Sequence, residues 1–506
     1  MIPQSFREAQ KLHDLSVSFA NSWISKYYPG NNHQIFGVPF EKIQAFSQHH
    51  FFSCLLENKP IDDNWSRYPR TTNKPSKAHF FQRTLQIVRN LTAPKVNIGH
   101  LDPDTQIVFL SSGRHLEDWQ PAIFYLKQHF KILVVGKIPD KIRKKMSEEK
   151  IPWIDLPSAR RFLTRKERFV DCLLFLRFFW RKRGNHKLLA NPLWAKRLWY
   201  LRLEQFPEIT ALLKFARSVF KKTKPSLLLT TSSNDTFGSA FCLTAQKLEI
   251  PVAELQHGFA SWPTDRIFAY NNYHLVWGEI PKKMFSGISK ELVIVGCPFL
   301  KKHKSLSINS TKLSKSKIRV LVLLTPPFGV IELMEKYPTE QVIERLIWGL
   351  TKLSKKFLVT LRSHPSFPIQ EFLDFDNLPS NIKLSKDKNA HKSILAHDII
   401  ITQPTTAGFI AIIHKKPLLF FDNSYLTQKF SHPFIKSGSA VNVPCSSLDR
   451  IDTYVHKLLS NESLLMKQEK AQEKFIDNYC AYFGEDSCKK IAEFAKKIIN
   501  EKSSSN

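Results

Sequence analysis

The sequence predicts an α/β chain built as two Rossmann-like halves, each a parallel sheet with helices between its strands. Three observations predict it. Short apolar runs that end in Gly, Ser or Thr alternate with helical periodicity, the strand–turn–helix–strand signature of parallel sheets. This alternation occurs as two series, separated by a Ser/Lys-rich stretch from Lys301 to Lys317 with almost no core-forming residues. At 506 residues the chain is also too long for one ordinary core.

The first series opens with Ile107–Leu110, the turn Ser111-Ser112-Gly113, a helical pattern carrying Trp119, Ile123 and Leu126, and a second strand at Ile132–Gly136. It resumes at Leu227–Thr230, followed by Thr231-Ser232-Ser233-Asn234-Asp235 and a helix through Ala245. Strands are expected at Val252–Leu255, His274–Trp277 and Leu292–Val295. The second series has strands at Ile318–Leu324, Phe357–Leu361 and Ile399–Thr402, with Leu418–Phe421 as its final strand. Its helices are expected at Thr339–Leu353 and Thr406–Ile413. From Asp452 to Ile499 the periodicity is helical throughout. The expected domains are an N-terminal accessory, mostly helical region (1–100), a first Rossmann-like, acceptor half (101–300) with a basic aromatic helical insertion (157–222), and a linker (301–317). A second, nucleotide-donor half (318–450) and C-terminal helices (451–506) complete them.

Composition narrows the setting. Lys and Arg number 75 against 44 Asp and Glu, a formal net charge of +31, and a charge that positive calls for an anionic partner. The seven cysteines form no CxxC or zinc-ligand spacing, which fits a reducing, cytoplasmic location. The N-terminus has no basic segment followed by an apolar stretch, so no signal peptide is expected. No run approaches the roughly 20 apolar residues that span a bilayer.

In open parallel sheets ligands bind beyond the carboxyl ends of the strands, which selects the loops that matter. Gln256-His257-Gly258 follows one strand: His257 can act as acid or base, and Gly258 permits a tight turn. Val295-Gly296-Cys297-Pro298 closes the first half, with Gly296 in an exit turn. In Leu361-Arg362-Ser363-His364-Pro365, Pro365 holds His364 extended, and Arg362 and His364 offer cationic donors for a phosphate. Thr402–Gly408 runs into a helix whose start lies at Thr405 and Thr406. Hydroxyls and free N–H groups there cap the helix, and the same groups suit an anion. On the acceptor side the available acids and bases are Glu117, Asp118, Asp235 and His257. Asp235 also reads as a helix cap and Asp118 as a solvated carboxylate.

Taken together the loops resemble bacterial surface-polysaccharide transferases of the GT-B fold: capsule and lipopolysaccharide Kdo- or sialyl-type transferases and CDP-glycerol glycerophosphotransferases. The matching pieces, in order, are QHG at 256–258, VWG at 276–278, VGCP at 295–298, RSHP at 362–365 and HDIIITQPTTAGFIAIIHKKPLLFFD at 397–422. The resemblance covers roughly 225–425. It implies two Rossmann-like domains facing a cleft, and a metal-independent sugar transfer from a nucleotide-activated donor to a polysaccharide or lipid-linked acceptor. His364 would assist the leaving nucleotide. Arg362, Pro365, Thr405, Thr406, Gly408, Gly258 and Gly296 would line the donor site, and His257, Asp235, Asp118 and His364 would be catalytic. No cofactor is implied beyond the nucleotide-linked substrate, CMP- and CDP-linked donors included. One position departs: many GT-B enzymes carry a ribose-gripping Glu in the helix after the Thr-rich loop, and the matching residue here is Ile410.

Residues 160–202 hold 13 Lys/Arg, two acidic residues and a run of Phe and Trp. This mixture suits an anionic membrane surface, giving an expectation of peripheral attachment to the inner face of the cytoplasmic membrane; an ordinary helical hairpin with solvated charges is the other reading. Glycerophosphotransfer, sugar-nucleotide epimerisation and non-enzymatic nucleic-acid or membrane binding are the competing functions. Against nucleic acid, the basic excess is spread widely and no RRM, KH or zinc-finger pattern is present.

Overall fold

A computed structural model describes residues 101–111, 113–156, 206–233, 235–259, 271–286, 291–301, 317–324, 337, 339–364, 378–385, 387, 389–423 and 432–504, with a two-strand ladder of Gln34–Ile35 and Val38–Pro39. The expectations for the rest of 1–100, for the basic aromatic segment 157–205, for the body of the linker and for Pro365 lie outside the described residues.

The first half is a seven-stranded sheet: β1 (Ile107–Leu110), β2 (Ile132–Gly136), β3 (Trp153–Asp155), β4 (Leu227–Thr230), β5 (Val252–Leu255), β6 (Tyr273–Val276) and β7 (Glu291–Ile294). All pairs are parallel, and the order is β3-β2-β1-β4-β5-β6-β7. The second half is a six-stranded parallel sheet: β8 (Ile318–Leu323), β9 (Phe357–Arg362), β10 (Ile382–Leu384), β11 (Ile399–Thr402), β12 (Leu418–Phe420) and β13 (Val441–Asn442), ordered β10-β9-β8-β11-β12-β13. Both follow the 3-2-1-4-5-6 order of Rossmann sheets, the first with a seventh strand. Central strands such as β1 and β4 are buried along their whole length, as strands covered on both faces must be.

Helices cover both sheets: α1 (Arg114–Lys127), α2 (Asp140–Glu148), α3 (Phe206–Thr223), α4 (Thr236–Lys247) and α5 (Glu279–Met284) in the first half. The second half carries α6 (Thr339–Thr351), α7 (Ala390–Ala396), α8 (Thr406–Ile413) and α9 (Pro433–Lys436). Then come α10 (Ile451–Ser460), α11 (Glu462–Tyr479) and α12 (Glu485–Ser504). The C-terminal helices divide between the halves. Phe475, Ile476 and Tyr479 of α11 pack in a core with Phe409 and Phe434, whereas α12 returns to the first half. Its Cys488, Ile491, Ala495 and Ile498, at helical spacing, join Ile107, Trp119 and Leu126.

Two expectations are corrected. Leu418–Phe421 is not the final strand, because β13 pairs beyond it through Leu419–Val441. The strands expected at His274–Trp277 and Leu292–Val295 each begin and end one residue earlier. Trp277 still counts among the buried apolar side chains, but it has left the ladder to pack with Phe409 and Tyr479 from beyond the first sheet.

Trp277, Cys297 and Leu300 from the first half share one apolar core with Leu321, Phe409, Phe420 and Phe434 from the second. The halves are thus joined by apolar packing, and the carboxyl ends of both sheets are turned toward the seam. That arrangement is the two-domain GT-B fold.

Candidate functional site at the seam of the two sheets

The second sheet changes direction between β8 and β11, and crevices at such points take ligands. In register, Leu323 at the end of β8 pairs with Arg362 of β9 on one side and with Thr402 of β11 on the other. The Arg362-Ser363-His364 exit and the Thr402–Thr406 loop therefore flank the same point, as their places after strands predict. Arg362 is half-buried, and its Nη1 donates to the carbonyl of Asp387. Burial pulls its pKa below the ordinary arginine value, with Asp387 opposing; a guanidinium stays protonated regardless. His364 is half-buried at the exit of β9.

At the start of α8 the two threonines do different work. Thr405 is the N-cap: its Oγ1 accepts from the Ala407 N–H at 3.3 Å. Thr406 Oγ1 accepts from the N–H of Phe259, in the first half, at 2.9 Å. Gly408 lies where helix and strand nearly touch, since a Cβ there would stand 3.1 Å from both Thr402 Cγ2 and Phe434 Cε2. Its absence of a side chain serves packing. Ile410 is partly buried against the shared core.

On the first-half side the loop after β5 is held by Gln256, which is fully buried. Its Oε1 accepts from Trp277 N at 3.0 Å, its carbonyl from Trp277 Nε1 at 2.7 Å, and its Nε2 donates to Gly258 O at 3.0 Å. These bonds present His257 edge-on to His115, with ring centroids 4.6 Å apart and planes at 67°. A Cβ on Gly258 would stand 3.4 Å from Thr406 Oγ1, so this glycine lies where the two halves meet.

The carboxylates are dispersed. Asp118, half-buried on α1, lies toward the exit of β7, where its charge adds to the effect of burial in pushing the Cys297 thiol up. Asp235 is the N-cap of α4, its Oδ1 accepting from Gly238 N at 2.6 Å. Glu117 is exposed. Gly296 has φ +76° and packs against the backbone of Tyr482. The structure thus brings together His257, Gly258, Thr405 and Thr406 at one seam and sets Arg362 and His364 across the crevice, while Asp118, Asp235 and Gly296 have structural surroundings of their own.

Sequence reading passed over three residues. His115 follows the turn Ser111-Ser112-Gly113 and carries no motif; only its partner ring gives it a role. Phe259 follows the QHG motif and bonds to a residue 147 positions away. Glu254 is fully buried in β5 and accepts from Ser233 Oγ and, at 2.8 Å, from Asn271 Nδ2. An acid inside the apolar strand VAEL was its one available signal. Among the described residues, no three His, Cys, Asp or Glu side chains come together as metal ligands, and no helix is long and apolar enough to cross a membrane.

No protein-family model matches the chain, and no curated protein does. Among solved structures it is similar to the calicheamicin glycosyltransferase CalG4, with TM-score 0.45 and 11% identity over 78% of this chain and 98% of that one. It is also similar to the glycosyltransferase VinC in complex with dTDP (0.44, 14%, 78% and 100%). A third is the Methanocaldococcus jannaschii UDP-GlcNAc 2-epimerase in complex with UDP-GlcNAc and UDP (0.44, 14%, 73% and 98%). Likeness at this level extends to no substrate and no site residue.

Proposed function

We propose that this chain is a metal-independent glycosyltransferase that holds a nucleotide-activated sugar in the crevice of the second sheet and passes the sugar to an acceptor bound by the first. The observation that carries this reading is the bond from the Phe259 N–H to Thr406 Oγ1 at 2.9 Å. It joins the QHG loop of one Rossmann-like sheet to the Thr-rich loop of the other, bringing together two of the motifs whose order resembles the surface-polysaccharide transferases.

In the proposed reaction the bond between the sugar's anomeric carbon and the nucleotide's phosphate oxygen breaks, and the acceptor oxygen bonds to that carbon. The departing phosphate carries away the electron pair as negative charge. Arg362 and His364 on one flank, and the Thr405–Thr406 helix start on the other, supply the positive groups and donors that stabilise it. His257 takes the acceptor's proton, with His115 orienting its ring. Apolar packing between the halves excludes water from the seam. The acceptor fitting the motif resemblance is a surface polysaccharide or a lipid-linked precursor at the inner membrane face.

The test is a thermal-shift and calorimetric screen against CMP, CDP, UDP, GDP and dTDP. At about 100 times its Kd a bound nucleotide adds roughly 2.7 kcal/mol, a rise of about 5–11 °C for a domain of roughly 150–250 residues. One nucleotide should raise the melting temperature in wild type and not in His364→Ala. No rise with any of the five, together with no breakdown of the corresponding sugar nucleotides, would sink the reading.

A further inference from the structure

We infer that Phe259 is a positioning residue whose seating in the second half makes nucleotide binding and closure of the two halves a single equilibrium. The inference rests on the nucleotide-sugar reading and concerns that same cleft.

Phe259 leaves the first half at the end of the Gln256-His257-Gly258 loop, but its ring lies among second-half side chains. It stacks on Tyr479 with centroids 4.5 Å apart and planes at 13°, lies 4.5 Å from Phe434, stacks on His432 at 5.6 Å and stands 5.8 Å from Phe409. All four partners are buried. The loop behind the ring is stiff, because Gln256 bonds to both Trp277 and Gly258. Ring and loop therefore move as one body. Withdrawing the ring from its socket carries His257 and Gly258 away from Thr406.

The bond to Thr406 gives this coupling chemical content. A threonine hydroxyl has one proton to donate and two lone pairs that accept. When Oγ1 accepts from the Phe259 N–H, the proton is turned away from that bond, where a ligand oxygen at the helix start can accept it. Thr405 likewise accepts one bond, but from Ala407 of its own helix, so its proton is directed from within the second half. Of the two hydroxyls, Thr406 is the one whose donor direction is set by the opposite half. A ligand oxygen that accepts from Thr406 then binds the closed form better than the open form, and differential affinity is the only way a ligand shifts such an equilibrium. Linkage makes the effect reciprocal: what weakens closure weakens binding, and bound ligand favours closure.

The experiment uses the full chain. Binding of CDP, UDP, GDP and dTDP is measured calorimetrically for wild type, Phe259→Ala, Phe259→Leu, Thr406→Val, Thr406→Ser and the Phe259→Ala/Thr406→Val double variant. The nucleoside of whichever diphosphate binds serves as the phosphate-free control, and small-angle scattering gives the radius of gyration with and without ligand. Phe259→Ala should weaken the diphosphate at least about 5-fold, leave the nucleoside unchanged and enlarge the free protein. Phe259→Leu, which keeps an apolar plug, should recover most of the affinity. Thr406→Val should lose about as much as Phe259→Ala, Thr406→Ser, which keeps the hydroxyl, should recover most of that loss, and the double variant should lose little more than either single one, the non-additivity expected of one shared interaction. Unchanged diphosphate affinity in a folded Phe259→Ala or Phe259→Leu protein, or additive losses, would overturn the inference alone. If wild type binds CMP alone, the same comparison is made with CMP in the diphosphate's place; a wild type that binds neither CMP nor any of the four diphosphates would overturn the donor reading and this inference with it.

Discussion

The carbonyl oxygen of Tyr482 stands 2.1 Å from the place a Cβ on Gly296 would occupy. The crossing of the chain from α11 to α12 lies directly over the exits of β6 and β7. Ala481 N donates to Trp277 O at 2.8 Å, Cys297 N to Tyr482 O at 2.8 Å, and Gly484 N to Cys297 O at 3.1 Å. A Cβ on Gly278 would likewise stand 2.6 Å from Tyr479 O. Gly296, which the motif resemblance puts in the donor site, and Gly278 of the VWG motif thus both make room for the protein's own backbone.

Gly296→Ala should therefore cost stability well above the ordinary price of a left-handed residue. The backbone alone, at φ +76°, costs roughly 1–2 kcal/mol with a Cβ, and the clash has a carbonyl, not a pliable side-chain tip, on its other side. The expected loss is more than about 2 kcal/mol in urea unfolding. Gly438→Ala is the control: it has the same φ of +76°, but its Cβ would meet Ala471 Cβ at an ordinary 3.5 Å, so only the backbone cost of roughly 1–2 kcal/mol is expected. Equal losses at the two positions would show that the crossing yields.

Glu254 predicts a coupled network. Its carboxylate is fully buried and accepts from Ser233 Oγ and Asn271 Nδ2, tying the β4–α4 loop to the start of β6. Breaking a buried polar network costs far more than removing a surface charge. Glu254→Ala, which leaves two buried donors without their acceptor, should lose about 2–6 kcal/mol and Ser233→Ala about 1–3. The double variant should show a coupling of about 0.5–3 kcal/mol. Strict additivity in denaturant midpoints would mean the Ser233–Glu254 bond contributes nothing of its own.

The central strands were legible because burial on both faces leaves an unbroken apolar run between turn residues. Ile107–Leu110, Leu227–Thr230, Val252–Leu255 and Ile399–Thr402 have the bounds the sequence predicts. The edge strands β3, β10 and β13 were not legible: they are three, three and two residues long and carry Asp155, Lys383 and Asn442. Strands this short have no period to detect, and neighbours complete them. At the seam the loops were legible from their places after strands, but the pairing of His257 with His115 and the socket of Phe259 were not. Both depend on side chains that meet only when the sheets are formed and docked. Glycine motifs misdirect for a related reason: close approach demands a glycine whether the approaching group is a ligand or a backbone carbonyl.

Gln256→Glu tests the loop that presents His257. The amide accepts from Trp277 N through Oε1 and donates to Gly258 O through Nε2. An ionised carboxylate has no proton for the second bond, so it would face a carbonyl oxygen inside a fully buried site. A loss of about 2–4 kcal/mol is expected near pH 7.5. The loss should shrink as pH falls, because a protonated carboxyl can donate to Gly258 O. Circular-dichroism unfolding at several pH values measures this, and a deficit that stays constant or grows with acidification would contradict it.

His432 sets the direction of the acid response of the second half. It is fully buried between Phe259 and Phe420, and its Nδ1 accepts from the Phe434 N–H at 3.2 Å. Burial holds its pKa down from 6.5 to about 3. The unfolded chain therefore takes up a proton near pH 6.5 that the folded chain refuses until about pH 3. The stability from this residue is fully present above pH 6.5, is lost progressively as pH falls below it, and levels off near pH 3. The slope is about 1.4 kcal/mol per pH unit inside that window, so roughly 2 kcal/mol should be lost at pH 5. Burial lowers the pKa of His397 as well, adding a loss of the same sign, so wild type is compared with a variant lacking only His432. In His432→Asn the side-chain oxygen can accept from Phe434 N and nothing titrates. Urea unfolding at pH 7.5 and 5.0 should show wild type losing about 2 kcal/mol more than His432→Asn between the two. Equal losses would place the acid sensitivity elsewhere, with His397 the next residue to replace.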